Sequence, residues 1–264
     1  MKNSLKRALL EHKQTYGTWI TLAHPLIPEL LAPAGFDWLA VDMEHSSIEL
    51  SELLPLIISI EANGMEPLVR VGENNANLIK RVMDAGAYGV IVPNVCSGHD
   101  AKRAVDAVKY PPQGTRGVGL YRAQKFGRAF ERYKKWLAEE SVVVVQIEHV
   151  EAVSRIDEIL AIPGVDAFMV GPYDLSASLG KPGSFEDPEV AEALERLMEA
   201  STRHRIPAGF HSVPSDPKEA RRRIEEGYKF LAFSTDAIFL GDAAERALSI
   251  LKESKKPEAT LKAQ

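Results

Sequence analysis

Cysteine is almost missing from this chain: Cys96 is the only one among 264 residues. A single thiol closes no disulfide and builds no thiolate metal site, and at the end of an apolar run Cys96 reads as a small core residue rather than a nucleophile. No apolar run reaches membrane-spanning length, which excludes a transmembrane helix. The N-terminal Met1-Lys2-Asn3-Ser4-Leu5-Lys6-Arg7 leads into mixed polar sequence without the apolar core of a signal peptide. The formal charge of −5 is spread with its signs interspersed, leaving neither a basic stripe for nucleic acid nor an acidic tail. A soluble cytoplasmic protein is expected, with small molecules and copies of itself as partners, and neither nucleic acid nor membrane.

Two further absences bear on fold and chemistry. No Gly-x-Gly-x-x-Gly opens the first helix, which argues against a dinucleotide-binding open sheet. No lysine lies inside any of the apolar runs given below, Lys229 standing just before the last one. A Schiff-base enzyme needs a desolvated lysine on the barrel wall, so metal-dependent enolisation is preferred over imine chemistry.

What is present is a regular alternation. Apolar, β-branched runs occur at Thr18 to Leu22, Trp38 to Asp42, Pro67 to Val71, Gly89 to Val95, Val142 to Ile147, Ala167 to Gly171, Ala208 to Phe210 and Phe230 to Ser234. Segments of helical periodicity separate them: Pro28 to Ala34, Glu52 to Asn63, Ala76 to Ala85, His99 to Lys109, Glu151 to Leu160, Pro188 to His204 and Pro217 to Gly227. Strands that alternate with helices and are apolar on both faces belong in a covered parallel sheet, and eight of them close most economically into an α/β (β/α)₈ TIM barrel. No linker divides residues 1–251, which read as one domain; 252–264 is a Lys- and Glu-rich tail expected to fray. The longest strand-free connection, from Lys109 to Glu140, is Arg-rich and suggests a covering loop or an interface arm.

In such a barrel chemistry gathers just past the strands, at their C-terminal ends. The residues there are His24; Asp42, Glu44 and His45; Arg70; Asn94; Gln146 and Glu148; Asp174; His211; and Thr235 with Asp236. Glu148 and Asp174 end successive strands and offer two hard oxygen ligands, a plausible seat for a divalent cation. A local turn could let the Asp42 carboxylate orient the His45 imidazole as a general base; the same segment could instead cap the next helix through Ser46 or Ser47. Arg70, on an apolar strand, needs an anionic partner, either a protein carboxylate or a ligand. Gly171-Pro172-Tyr173-Asp174 reads as a strand running straight into a helix, whose first free N–H groups suit a carboxylate.

Several stretches then carry a resemblance: Ala34-Gly35-Phe36-Asp37-Trp38 leading to Asp42-x-Glu44-His45, Val69-Arg70, Tyr110-Pro111-Pro112-x-Gly114-x-Arg116-Gly117-Val118-Gly119, Val145-Gln146-Ile147-Glu148, and Gly171-Pro172-x-Asp174-Leu175-Ser176. Spanning almost the whole chain, they resemble the HpcH/HpaI family of metal-dependent, pyruvate-specific aldolases, with a barrel of the phosphoenolpyruvate/pyruvate type. The resemblance implies reversible cleavage of a 4-hydroxy-2-oxo acid into pyruvate and an aldehyde through a metal-bound enolate. On the same scaffold the alternative is a 2-oxo acid decarboxylase or a citrate-type synthase or lyase. By the same resemblance Glu148 and Asp174 bind Mg²⁺, Mn²⁺ or Co²⁺, with no organic cofactor. Gln146 and the backbone at Tyr173 and Asp174 hold the 2-oxo acid, with Trp19 and His211 among the substrate contacts. His45 is the base, its basicity raised by Asp84 from across a subunit interface or by Asp42 as the local alternative. Arg70 stabilises the enolate. The implied assembly is a homohexamer, a trimer of dimers with exchanged C-terminal helices. His211 stands where related enzymes carry Leu, and is expected either to select a polar or anionic aldehyde or simply to contact a neighbouring loop.

Overall fold

Val142 to Val145 shows why the apolar runs become strands. All four side chains are fully buried, Val142 and Val144 in one apolar cluster with Trp38, Leu68 and Ile91, Val143 and Val145 in another with Val105, Leu137 and Ile159. Alternate residues thus fill the inside of a closed sheet and its packing against helices, the requirement of a strand buried on both faces.

The computed structural model describes residues 4–253. Eight parallel strands close in sequence order: β1 (Thr15–Ile20), β2 (Trp38–Asp42), β3 (Glu66–Arg70), β4 (Gly89–Val92), β5 (Val142–Ile147), β6 (Ala167–Val170), β7 (Ala208–Ser212) and β8 (Phe230–Thr235). The surrounding helices are α1 (Ser4–Leu10), α2 (Leu26–Leu31), α3 (Leu50–Ala62), α4 (Ala76–Ala85), α5 (Gly98–Val108), α6 (Phe130–Glu140), α7 (Val150–Ser154), α8 (Ile156–Leu160), α9 (Pro172–Ser178), α10 (Pro188–His204), α11 (Pro217–Glu225) and α12 (Asp236–Glu253). Among the described residues no helix is long and apolar enough to cross a membrane. α1 precedes β1, and its Leu5 and Leu9 join the interior cluster. Its start is tied to the barrel by Ser4, whose N–H and hydroxyl both donate to Glu66, at 2.9 and 2.8 Å. Inside, Trp38 stacks on Phe230 with ring centroids 4.3 Å apart, and β1 makes room with Gly17, where any Cβ would stand 2.1 Å from the indole.

The eight expected strands are all present, with shifted ends. β1 begins at Thr15 and stops at Ile20, β4 stops at Val92, and β7 and β8 run on to Ser212 and Thr235. The helix expected from Glu151 to Leu160 is broken at Arg155 into α7 and α8. α3 is capped by Glu49 in a reciprocal box with Glu52, not by Ser46 or Ser47; Ser46 instead donates to the Asp42 carbonyl and accepts from Ile48. Part of the strand-free connection is helical, since α6 buries Tyr133, Trp136 and Leu137 on one face. Lys252 belongs to α12, which runs to Glu253; the rest of the expected tail lies outside the described residues.

Candidate active site

In register Asp42 of β2 lies opposite Arg70 of β3, so their side chains meet at the barrel mouth. Arg70 Nε donates to Asp42 Oδ1 at 2.9 Å and Nη2 to Oδ2 at 2.5 Å, a fork on a carboxylate that is 2% exposed. Burial works against the Asp42 charge, but the Arg70 bonds outweigh it and hold the carboxyl below its usual range. Asp42 Oδ1 also accepts the backbone N–H groups of Glu44 (3.0 Å) and His45 (3.2 Å). The expected local turn therefore exists, but its carboxylate holds backbone and guanidinium, and Asp42 is not the partner of the His45 imidazole. That ring is 63% exposed, and its Nε2 stands 3.8 Å from Glu44. Arg70 Nη1 has no hydrogen-bond partner among the described residues, and the guanidinium lies 4.3 Å from the centre of the Trp19 ring.

Across the mouth, Glu148 follows β5 and is fixed at both oxygens. Gln146 Nε2 donates to Oε2, and the Asn94 backbone N–H donates to Oε1 at 2.7 Å. Asn94 makes this reach from a left-handed conformation (φ 54°) just past β4. Gly171 directly follows neighbouring β6, and a Cβ there would come within 2.9 Å of Glu148 Oε2, so only glycine leaves the carboxylate its place. Without a side chain Gly171 cannot cap α9, and the Tyr173 and Asp174 N–H groups find no acceptor among the described residues. Asp174 sits in this first turn, beside exposed Tyr173.

The charges and orphaned atoms of this donor set decide whether it suits a cation. Burial raises the Glu44 carboxyl to about 7; Arg70 opposes this, while Glu148, Asp42 and Asp174 reinforce it. Glu44 Oε2 and Gln146 Oε1 are buried without hydrogen-bond partners. No group of three His, Cys, Asp or Glu side chains among the described residues forms a ready cage. Two carboxylates with room for other oxygens suit a Mg²⁺-like ion, which keeps water and substrate in its shell. The residues fit such an ion.

The third wall comes from β1, β7 and β8. Trp19, Thr21, His211, Val213 and Thr235 line the same cavity of about 340 Å³ as Asp42, His45, Arg70, Gln146, Tyr173 and Asp174. Burial, with Arg70 adding to it and Asp42 opposing, pushes the His211 imidazole down to about 3.

Asp84 is not in this cavity. It stands in the last turn of α4, which runs back from the mouth, and pairs with Arg116 at 2.5 Å. His24 accepts the Leu26 N–H at the start of α2, and Asp236 accepts from Thr21 and Leu22, tying β1's exit to α12. Both are structural. Glu44, Thr21, Val213 and the Asn94 backbone join the site without having been singled out for a role; for Glu44 the signal was its place beside His45. A larger cavity, of about 620 Å³, lies between Tyr88, Arg122, Phe126 and Trp136 and holds none of the strand-end carboxylates.

This geometry has close relatives. The profile of the family described as HpcH/HpaI aldolase/citrate lyase matches residues 15–243. The chain is 37% identical to a 2-dehydro-3,6-dideoxy-6-sulfogluconate aldolase of Pseudomonas putida, over 92% of this chain and 94% of the relative. It is 33% identical to a 5-keto-4-deoxy-D-glucarate aldolase of Escherichia coli, over 95% and 97%. A crystal structure of a family protein from Burkholderia cenocepacia superposes with a TM-score of 0.90 at 35% identity, covering 95% of this chain and all of the other.

Proposed function

This chain belongs to the HpcH/HpaI aldolase/citrate lyase family, and on that premise we propose how it works as a metal-dependent pyruvate aldolase. It is a carbon–carbon lyase, cleaving a 4-hydroxy-2-oxo acid reversibly into pyruvate and an aldehyde. The observation that carries the reading of the site is a cavity lined by Asp174 and by an Arg70 whose Nη1 no protein group among the described residues occupies, with the fixed carboxylate of Glu148 held against two of its lining residues, Gln146 and Gly171.

Glu148 and Asp174 would hold the divalent cation, Mg²⁺, Mn²⁺ or Co²⁺. Bound there, the ion supplies Lewis acidity to the oxygens of the 2-oxo acid. Gln146 and the free N–H groups of Tyr173 and Asp174 hold the substrate carboxylate, with Trp19 behind it. His45 takes the proton of the C4 hydroxyl. As that oxygen becomes the aldehyde carbonyl, the C3–C4 bond breaks, and its electron pair becomes the C2–C3 double bond of the pyruvate enolate. Arg70 Nη1 faces the oxygen that gains charge, and protonation at C3 releases pyruvate. Asp84 raises the basicity of His45 from a second copy of the chain, within a hexamer built as a trimer of dimers.

The test is proton exchange. With Mg²⁺ and pyruvate in D₂O the protein should deuterate the methyl group, and a chelator should stop it. An aldehyde panel then separates aldol formation from decarboxylase or citrate-type chemistry. No exchange with any of the three cations would refute the reading.

A further inference from the structure

The turns that lead into the strands, on the side of the barrel away from the mouth, border a cavity with no task in the aldolase reaction. It measures about 620 Å³ and shares no lining residue with the active-site cavity. Glu61 comes from the end of α3, Tyr88 stands just before β4, and Tyr133 and Trp136 belong to the buried face of α6. The three rings make one apolar wall: Trp136 meets Tyr88 edge to face at 5.2 Å and stacks on Tyr133 at 5.6 Å between centroids.

The polar groups of the lining divide into those already satisfied and those left over. Glu61, its one carboxylate, is taken at both oxygens, since Tyr88 Oη donates to Oε1 at 3.2 Å and Arg122 Nη2 to Oε2 at 2.5 Å. Arg122 Nη1 donates to the Ala85 carbonyl at 3.1 Å, in a space kept open by Gly86, where a Cβ would stand 2.3 Å from that nitrogen. Tyr133 Oη accepts from Arg116 and donates to the Met83 carbonyl at 3.3 Å. Left over are Trp136 Nε1, buried without a hydrogen-bond partner, and the exposed side chains of Lys125 and Arg128, which make no hydrogen bond or ion pair among the described residues. All three are donors, and two are cations.

A buried indole N–H without an acceptor is costly unless something completes it. Lys125, Phe126 and Gly127 are successive left-handed residues (φ 50, 55 and 87°), a costly run that carries a free cation and an exposed ring to the rim. The unmet needs of the cavity therefore follow one order: a lone pair at depth, a flat apolar body along the rings, and negative charge at the rim. An alkyl chain leaves the indole orphaned, an amine meets the cations with the wrong charge, and a small inorganic anion leaves the rings uncovered. Cavities of this size hold small organic ligands.

We propose that this cavity binds an organic anion whose flat ring lies against Tyr88, Tyr133 and Trp136, offers a lone pair to the Trp136 N–H, and holds its charged group at Lys125 and Arg128. Nucleoside monophosphates and hydroxybenzoates share that chemistry, with phosphate or carboxylate as the charged group.

The full chain with Mg²⁺ is titrated with AMP and, separately, with 4-hydroxybenzoate, followed by calorimetry and by ¹⁵N–¹H spectra of the indole groups. The chain has three tryptophans, so Trp136→Phe identifies the Trp136 signal by its disappearance. At least one of the two compounds should bind with a Kd of about 1 mM or tighter and move that signal, and the one that does identifies the anionic group. Its fragments, adenosine and ribose 5-phosphate or phenol and acetate, should each bind about 10-fold more weakly or worse. Lys125→Ala combined with Arg128→Ala, both exposed, should weaken binding by about 10-fold or more, and Trp136→Phe, which keeps a ring but no donor, by about 5-fold. Asp174→Asn, at the mouth, should bind as the wild type does. Binding of neither compound at about 1 mM overturns the proposal and leaves the cavity to water or to a neighbouring copy. Binding that survives the double variant also overturns it, as does binding that Asp174→Asn abolishes, which would place the ligand at the barrel mouth.

Discussion

In the proposed mechanism Arg70 divides one guanidinium between structure and chemistry. Nε and Nη2 are spent on Asp42, leaving Nη1 for the substrate, and the planar fork lets one residue do both. Arg70→Ala should therefore lose turnover by about 10²–10³-fold, roughly 3–4 kcal/mol, through the missing oxyanion contact. It should also lose about 3–5 kcal/mol of stability, because Asp42 is left buried and unpaired. Arg70→Lys separates the two effects: a cation still faces Asp42, so the urea midpoint should recover more than the turnover does. Unchanged turnover in Arg70→Lys would remove Nη1 from the mechanism. At this scale the sequence marked Glu148, Asp174, Arg70 and His45 as mouth residues because each lies at or within three residues of the end of an apolar run. It left Asp42 ambiguous, since whether a carboxylate turns to its own loop or to the next strand depends on register. Asn94's hold on Glu148 was illegible for a related reason: it is made by a backbone N–H, which every residue but proline has, and only the turn after β4 aims it.

Strands were the most legible elements, because a run buried on both faces has few other uses, whereas their ends shifted wherever a bulge or loop took over the hydrogen bonds. α6 was the element that composition concealed. Phe130 to Glu140 is dominated by charges, and only Tyr133, Trp136 and Leu137 mark its buried face. Its far end depends on a long-range partner: Lys109 Nζ, inserted from the end of α5, donates to the Leu137 and Ala138 carbonyls (2.8 and 3.2 Å) and to the Ser141 carbonyl and hydroxyl (3.4 and 2.8 Å). Burial pushes this ammonium down to about 8, so at neutral pH it is still mostly a cation facing the negative end of a helix. Lys109→Met fits the same channel but strands those acceptors. It should lower stability by about 2–3 kcal/mol, seen as a lower urea midpoint, without changing turnover per folded molecule. An unmoved midpoint would mean that water replaces the ammonium and that α6 does not depend on it.

For the whole molecule, two features bear on the proposed second chain. α12 leaves the barrel with Leu240, Leu248 and Leu251 exposed by 65, 51 and 66%, an apolar surface that a helix in water ordinarily buries. Asp84, in turn, is held by Arg116 in the last turn of α4, outside the cavity that its own His45 lines. If copies associate so that Asp84 of one serves His45 of another, the catalytic dyad is shared, and the sharing can be read by mixing. His45→Gln and Asp84→Asn variants, each nearly inactive alone, are unfolded together and refolded. About a quarter of the sites in a randomly mixed symmetric assembly then combine an intact His45 with an intact Asp84 from its neighbour, and activity should return in that proportion. His45→Gln mixed with Glu148→Gln is the control: both residues belong to the barrel mouth of one chain, so no mixed site is whole and no activity returns. Failure of the first mixture to recover, although light scattering shows mixed oligomers, would mean that Asp84 does not act on a neighbour's His45 and that its bond to Arg116 is its whole role.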